Sequence, residues 1–162
     1  MVGDDENVRI FVRRGRMNIC HEFNPTLAES FILVISTYSM KLTKENLEII
    51  KRFIQHCAKE LGLRGKITIT LSERQTTGMP TAGYCDPYGM TVFVAIKNRA
   101  MADCLRTLAH ELTHCKQGQA GVVFPNDDEG LQPHEDAANV EAGRLVRFWG
   151  RENRVIYEDL KS

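Results

Sequence analysis

The amino-acid sequence predicts a small α+β domain, and three observations support this fold class. The chain has 162 residues, enough for one domain with a hydrophobic core and too few for two ordinary domains. Hydrophobic residues make up 43% and charged residues 26%, which is the balance of a soluble globular protein. From residue 43 onward, the periodicities of helices and strands follow one another in the order helix, strands, helix, loop, helix.

The first 39 residues carry the weakest pattern. We predict strands near residues 8–12 and 31–38, separated by a turn at Asn24-Pro25. The apolar run at residues 31–35 is too short and too far from the start for a signal peptide, and no segment approaches the roughly 20 apolar residues that span a bilayer. We interpret residues 1–39 as an N-terminal arm that packs on its neighbours or on other copies of the chain, and residues 40–162 as the folded domain.

The central segment predicts one helix followed by strands. The helix begins at Thr43, a typical N-cap, and is ended by Gly62 and Gly65. Its apolar residues recur at helical spacing: Leu47, Ile50, Ile54, Cys57, Ala58 and Leu61. Residues 66–71 alternate as a strand and residues 90–96 form a second strand. Between them, the Gly-, Pro- and Thr-rich residues 76–89 predict a loop with a short strand at 82–85.

The C-terminal segment predicts two helices. Residues 100–118 are rich in helix-forming residues, with Asp103 in the first turn and Gly118 at the end. A polar loop over residues 121–133 contains the acidic run 127–129, and the last helix covers residues 134–150. Residues 155–157 predict a short closing strand.

The charges and the cysteines limit the classes of function. Lys plus Arg and Asp plus Glu number 21 each, so no net field favours nucleic acid or a membrane, and we expect neither as a partner. Five cysteines without Cys-x-x-Cys spacing argue against a disulfide framework and a cysteine-only zinc site, and they favour the reducing cytoplasm. Arginines at helical spacing near the C-terminus are typical of a solvated face, with docking onto an acidic partner as the alternative. They are Arg144, Arg147, Arg151 and Arg154.

The sequence His110-Glu-Leu-Thr-His114 lies in the middle of the helix predicted at residues 100–118. Residues four apart lie on one helix face, so the imidazoles of His110 and His114 can bind a single metal ion. Glu111 projects beside them and can take a proton from a water molecule that the metal activates. Two imidazoles and a carboxylate suit one Zn²⁺ ion best. A solvated helix face is the alternative, and the apolar residues flanking the motif disfavour it.

A zinc site of this kind needs a third protein ligand and leaves the fourth position open. We prefer Glu135, 21 residues after His114, because its helix face continues through small side chains that allow two helices to approach closely. Asn139, one turn further on, could then hydrogen-bond a ligand histidine. An ordinary acidic residue in a first helix turn is the alternative for Glu135. The other candidate ligands are Glu141, His134, Asp127 and Asp128.

Two stretches of this sequence, RTLAHELTHCKQ at residues 106–117 and EDAANVEAG at residues 135–143, resemble small HExxH proteins encoded by tailed phages. More distantly, they resemble the ImmA/IrrE group of gluzincin-like peptidases, which pairs its HExxH helix with a Glu-x-x-Ala-Asn helix. The resemblance is loose over residues 41–160 and close only in the two helices. It implies Glu135 as the third ligand and Asn139 as a supporting residue.

The resemblance also implies an architecture and a location. The architecture is a minimal zincin-like domain, in which a small sheet packs against the HExxH helix and a C-terminal helix bears the glutamate. The strand at residues 90–96 would be the sheet edge that pairs with an extended substrate, and the location would be a host cytoplasm or a virion. A metzincin would need Gly and His in place of Gln117 and Ala120, which excludes that class. A SprT-like protein would need a third histidine, for which only His134 is available.

The expected function is therefore zinc-dependent endopeptidase activity, with Glu111 as general base and a peptide as the substrate. Arg106 and Gln117 lie on the ligand face and are candidate substrate contacts or oxyanion donors. Further candidate donors are Tyr84, Tyr88 and Tyr157. The alternative is a catalytically silent protein, either a zinc-stabilised scaffold or virion component or a protein-binding sensor, that engages partners or copies of itself through residues 1–39.

Overall fold

A computed structural model describes residues 8–14, 17–23, 31–37, 43–72, 82–96 and 99–157. The structure combines three α-helices with a mixed β-sheet, which confirms the predicted α+β class. None of the helices in these ranges has the length and hydropathy needed to cross a bilayer. The predicted turn at Asn24-Pro25 and residues 76–81 of the predicted loop lie outside the described residues.

The sheet has six strands in the spatial order β2-β1-β3-β4-β6-β5. The strands are β1 Val8–Arg14, β2 Met17–Phe23, β3 Phe31–Thr37, β4 Ile67–Ser72, β5 Gly83–Asp86 and β6 Thr91–Ala95. Strands β1, β3, β4 and β6 run parallel to their neighbours in this group, whereas β2 and β5 pair antiparallel at the two edges. The strands predicted near residues 8–12 and 31–38 are thus present, and they continue the sheet from β4. A separate role for residues 1–39 stays a prediction.

The first helix, α1 Lys44–Leu61, has the limits that the sequence predicts. The Thr43 hydroxyl accepts a hydrogen bond from the Asn46 backbone N–H at 3.1 Å, and Gly62 ends the helix in the left-handed conformation at φ 63°. The apolar face is buried, with Phe53 and Cys57 fully inaccessible to solvent. The spacing of the apolar residues therefore predicted correctly which face of α1 is buried in the core.

The second helix, α2 Met101–Gln119, packs against the sheet and α1. Leu105, Leu108 and Leu112 are at most 1% exposed, and they meet the buried side of β4 and β6 in one hydrophobic core. Arg99 fixes the start of this helix, because its guanidinium donates hydrogen bonds to the Ala95 carbonyl oxygen and the Thr107 hydroxyl, both at 2.6 Å. This clamp joins the end of β6 to the first two turns of α2.

The last helix, α3 Asp128–Glu152, begins six residues before the predicted start at His134. The prediction of a polar loop over residues 121–133 was wrong for its last six residues, which belong to the helix. Asp127 caps the helix, with its carboxylate accepting a hydrogen bond from the Gly130 N–H at 2.7 Å. Pro133 lies near the start of the helix, where its missing N–H removes a single bond to the Glu129 carbonyl.

Two further predictions about strands were wrong. Residues 155–157 do not form a strand, because Arg154–Tyr157 is a 3₁₀ turn that buries Ile156 completely in the core. The strand at residues 90–96 is not the sheet edge, because β6 lies between β4 and β5. A tight turn folds β5 back onto β6, with the Asp86 carboxylate accepting from the backbone N–H groups of Tyr88 and Gly89. In the described sheet, β5 is therefore the edge beside α2.

Candidate metal centre

His110, His114 and Glu135 meet where α2 packs on α3. The two histidines lie one turn apart on α2, and Glu135 faces them from the second turn of α3. The Nε2 atoms of His110 and His114 are 3.1 Å apart. The Glu135 carboxylate places one oxygen 3.1 Å from the Nε2 of His110 and the other 3.1 Å from that of His114. Within the described ranges, these three residues are the one group of His, Cys, Asp or Glu close enough to hold a metal ion.

The spacing of these atoms fits one tetrahedral ion. Zinc bonds to imidazole nitrogen and carboxylate oxygen are about 2.0–2.1 Å long, so two ligands of a tetrahedral ion lie roughly 3.3 Å apart. The observed separations of 3.1 Å are close to this value without any rearrangement of the helices. The donor set, two imidazoles and one carboxylate, also leaves the fourth position of a tetrahedron open.

The ring of His114 is held in the tautomer that a metal ligand needs. Its Nδ1 atom lies 2.8 Å from the Gln117 side-chain oxygen, while the Gln117 amide donates to the His134 backbone carbonyl at 3.1 Å. The second bond fixes the amide, so its oxygen faces His114 and Nδ1 carries the proton. The lone pair of His114 is therefore on Nε2 and points at Glu135 and His110.

His110 is favoured in its neutral form. Burial is the main cause that lowers its pKa, and the neighbouring His114 acts in the same direction. The charge of Glu135 and hydrogen bonds from the ring to Asn139 and Glu135 partly offset the shift. A neutral imidazole is the form that binds a metal ion. Asn139 is thus a hydrogen-bond partner of His110, a candidate metal ligand.

Glu111 is 7% exposed and lines the same cavity as the three candidate ligands. Burial, followed by the negative charge of Glu135, raises the pKa of Glu111 to about 8. A carboxyl group that titrates near neutral pH can both accept and return a proton there. The structure therefore places a candidate acid–base group beside the candidate metal ligands.

The cavity in front of these residues has a volume of about 560 Å³ and is open to solvent. Strand β5 forms one wall and α2 and α3 form the other. Its lining includes Tyr84 and Cys85 of β5, and Asp103, Arg106 and Thr107 of α2. An open cavity between an edge strand and two helices can admit an extended chain.

The other candidate ligands lie outside this cluster. Glu141 binds the guanidinium of Arg144 at 2.5 Å, and Asp127 caps α3. The ring of His134 packs on Phe124 with 5.3 Å between ring centroids, and only its backbone carbonyl takes part in orienting His114. In the described part of the chain, none of them joins the cluster formed by Glu135 and the two histidines.

The candidate oxyanion donors separate into two groups. Arg106 and Tyr84 line the cavity. Gln117 is committed to His114 and His134, and the Tyr88 hydroxyl accepts from the Phe124 N–H at 3.2 Å outside the cavity. Tyr157 lines a different cleft. The structure therefore leaves Arg106 and Tyr84 as donors within reach of a substrate.

Two contacts at the site carried no signal in the sequence. The thiols of Cys85 and Cys115 are 3.2 Å apart and join β5 to α2 directly behind the ligand face. The contact with Cys115, together with burial, raises the pKa of Cys85 and favours its thiol form. The aromatic ring of Phe124 packs on His114 at 5.9 Å. Each contact joins separate parts of the fold, so only the tertiary structure shows it. Gln117, by contrast, lies three residues after His114, and helical spacing already placed it on the ligand face.

Gly83 is a further residue at the site whose role the sequence patterns did not predict. A Cβ atom at this position would lie 2.5 Å from the Thr107 methyl group and 2.7 Å from a carboxylate oxygen of Glu111. Real Cβ atoms are not found at such distances, so only glycine allows β5 to lie this close to Glu111.

We expect Gly83→Ala to lower the free energy of unfolding by about 1–3 kcal/mol, because the added methyl group forces β5 and Glu111 apart. Gly143→Ala is the matched control, since a Cβ at that position on α3 meets nothing within 4 Å. Alanine there should leave stability unchanged or raise it by up to ~1 kcal/mol. Chemical denaturation of both variants measures the difference, and equal stability of Gly83→Ala and the wild type would contradict this packing argument.

A scan of protein-family profiles and searches of curated proteins and of solved structures returned no match to this chain. The class of site is therefore defined by its geometry: a group of two histidines and one glutamate that can hold a metal ion, next to a buried carboxyl group in an open cavity.

Proposed function

We propose that this protein is a zinc-dependent endopeptidase. The observation that carries the proposal is the position of Glu111, which is buried, has a raised pKa, and lies beside three ligand atoms in a cavity open to solvent. A purely structural metal site closes all four ligand positions with protein groups. It also has no use for a buried carboxyl group, whose burial opposes folding. These features favour a hydrolase over a zinc-stabilised scaffold or a sensor.

The residues have separate roles in the proposed reaction. His110, His114 and Glu135 would hold the ion, while Gln117 and Asn139 orient the two imidazoles. A bound Zn²⁺ ion would act as a Lewis acid and bring the pKa of a water molecule towards neutrality. Glu111 accepts the proton of the attacking water and returns it to the leaving amine. Arg106 and Tyr84 can donate hydrogen bonds to the carbonyl oxygen as negative charge develops there.

The substrate is a peptide segment in extended conformation. In the described sheet, β5 has a partner only on the β6 side, and residues 82–85 line the cavity. A peptide that pairs with the free edge of β5 is thereby held against the ligand face of α2. This arrangement replaces the sequence-based expectation that the peptide adds to residues 90–96.

Metal removal tests the proposal. We expect the purified protein to cleave a fluorescently labelled unfolded protein, to lose this activity after dialysis against a chelator, and to regain it when one equivalent of Zn²⁺ is added. Cleavage is followed by the rise in fluorescence, and the chelated protein is checked for folding by circular dichroism. Cleavage that persists in the folded, metal-free protein would overturn the proposed mechanism.

A further inference from the structure

A second cleft runs along α3 away from the metal centre. We call it the arginine groove, and it has a volume of about 630 Å³. Its lining includes charged and apolar side chains from three elements: Arg106 on α2; Val140, Arg144, Arg147, Phe148 and Arg151 on α3; and Tyr157 on the 3₁₀ turn. Among the described residues, the lining contains four arginines and no acidic residue, although the chain as a whole has no net charge. Positive charge is therefore concentrated locally at this cleft.

Three of the four arginines are not neutralised. Arg144 is paired with Glu141 at 2.5 Å and with Glu60 at 3.6 Å. Within the described ranges, Arg106, Arg147 and Arg151 form no ion pair, and all three are exposed. Arg151 lies over the ring of Phe148 at 5.1 Å, which holds its guanidinium beside the groove. The groove thus offers three free cationic groups to a ligand.

Apolar side chains accompany these charges. Val140 is 73% exposed, Phe148 50% and Tyr157 59%, so the floor and rim of the groove present apolar surface to solvent. Exposed apolar and aromatic groups next to arginines are typical of protein-binding surfaces. Their side chains can hold the backbone and apolar side chains of a bound peptide, while the arginines hold its carboxylates.

The groove is continuous with the cavity at the metal centre. Arg106 and Asn139 line both, and Asn139 lies one helix turn beyond Glu135. At about 1.5 Å per residue, α3 extends roughly 18 Å from Asn139 to Arg151. An extended peptide rises about 3.3 Å per residue, so the groove accommodates about five residues beyond the metal centre.

From this geometry we infer that the arginine groove binds an acidic segment of the substrate, about five residues long, on one side of the bond that is cleaved. This inference rests on the proposed peptidase function, and it adds the substrate class. Carboxylates of Glu or Asp side chains on that segment pair with Arg147 and Arg151, and Arg106 lies at the junction with the metal centre. The enzyme therefore selects peptides with acidic residues a few positions from the scissile bond.

The shape and charge of the groove favour a peptide over nucleic acid. Binding to a phosphate backbone depends on an extended track of basic groups, each of which neutralises one phosphate. The free arginines here are confined to a short groove, and the chain has as many acidic as basic residues. The groove also starts at a centre built for hydrolysis of a chain lying beside β5.

Equilibrium binding tests the inference without relying on catalysis. The probes are a fluorescein-labelled peptide containing a run of glutamates and a counterpart with glutamines, both titrated with the full chain carrying Glu111→Gln. We expect the glutamate peptide to bind more tightly and its affinity to fall with rising ionic strength. Arg147→Glu together with Arg151→Glu should weaken its binding about tenfold or more, and lysine at both positions should restore most of it.

The matched control is Arg52→Glu, an exposed arginine on α1 that does not line the groove. It changes the net charge in the same direction and should leave binding of the glutamate peptide within about twofold of the unaltered chain. Equal affinity for the two peptides, or equal loss in the control and the groove variant, would overturn the inference. Tighter binding of a single-stranded oligonucleotide that the groove variant loses would also overturn it, in favour of nucleic acid.

The rates at which the two peptides are hydrolysed distinguish a failure of this inference from a failure of the proposed function. With Glu111 in place, we expect a higher kcat/KM for the glutamate peptide than for the glutamine peptide. The groove variant should abolish this preference, so that its kcat/KM for the glutamate peptide no longer exceeds that for the glutamine peptide. If neither peptide is cleaved by the zinc-loaded protein, the peptidase function fails, and with it the role of the groove in substrate selection. If both are cleaved without preference, the function stands and the inference about the groove fails.

Discussion

Replacing Glu111 by glutamine should lower peptide hydrolysis by roughly 10²- to 10⁴-fold, the range that general acid–base groups contribute. Glutamine keeps the shape of the side chain but cannot accept a proton from the attacking water. The fold should be retained, because the pKa of about 8 means that the metal-free protein already holds Glu111 largely neutral at pH 7. An uncharged amide therefore enters a site that already holds a largely neutral group.

The measurement is the initial rate of cleavage of a labelled unfolded protein by zinc-loaded wild type and variant. Metal content per chain and thermal unfolding are recorded on the same preparations, so that loss of activity is not confused with loss of metal or fold. Glu129→Gln, an exposed residue in the first turn of α3, is the matched control and should cleave at the wild-type rate. Full activity in Glu111→Gln would show that the proposed general base is wrong.

Glu135→Ala should reduce the affinity for zinc by more than the 10- to 100-fold typical of losing a supporting residue. The substitution removes the carboxylate that lies 3.1 Å from both imidazole nitrogens and leaves only two ligands on α2. Two histidines alone do not complete the three-ligand set on which catalytic zinc sites depend. The residual site should therefore release its ion during purification.

Elemental analysis of protein purified without added metal measures this effect, and titration against a competing chelator gives the affinities. The control is Glu141→Ala, which removes the other glutamate that the sequence offered as a ligand from the same helix. Glu141 is bound to Arg144, so its loss should leave the zinc content unchanged. Equal zinc content in Glu135→Ala and the wild type, or loss of zinc only in Glu141→Ala, would refute the assignment of the third ligand.

The elements that sequence patterns predicted well are those with strong local signals. Helix α1 has a capping threonine, a regular apolar face and a terminal glycine, and its limits agree with the structure. The start of α3 was misplaced because the polar residues 121–133 were interpreted as a loop, whereas Asp127 caps a helix that begins at Asp128. The edge of the sheet was misplaced for a different reason. The order of strands depends on pairing between distant segments, and nothing in residues 90–96 shows that β5 folds back beside them.

The residues of the candidate site also differ in whether local sequence patterns could predict them. His110, Glu111 and His114 lie on one helix turn, so helical spacing alone brings them together. Glu135 was preferred from the small residues that follow it, and its position opposite the histidines depends on how α3 packs on α2. The close approach of Gly83 to Glu111 and the contact of Cys85 with Cys115 join different elements, and no spacing along the chain predicts them.

The direct succession of α2 and α3 along the chain determines how a bound ion would act during folding. An ion held by His114 and Glu135 closes a loop over residues 115–134, and the entropy of loop closure grows only with the logarithm of loop length. As a cross-link, it restrains the unfolded chain within this pair of helices and leaves their connection to α1 unconstrained. The two helices are thus a unit of low contact order. The pairing of β3 with β4, such as Phe31 with Ile67, joins more distant residues and has a higher entropic barrier.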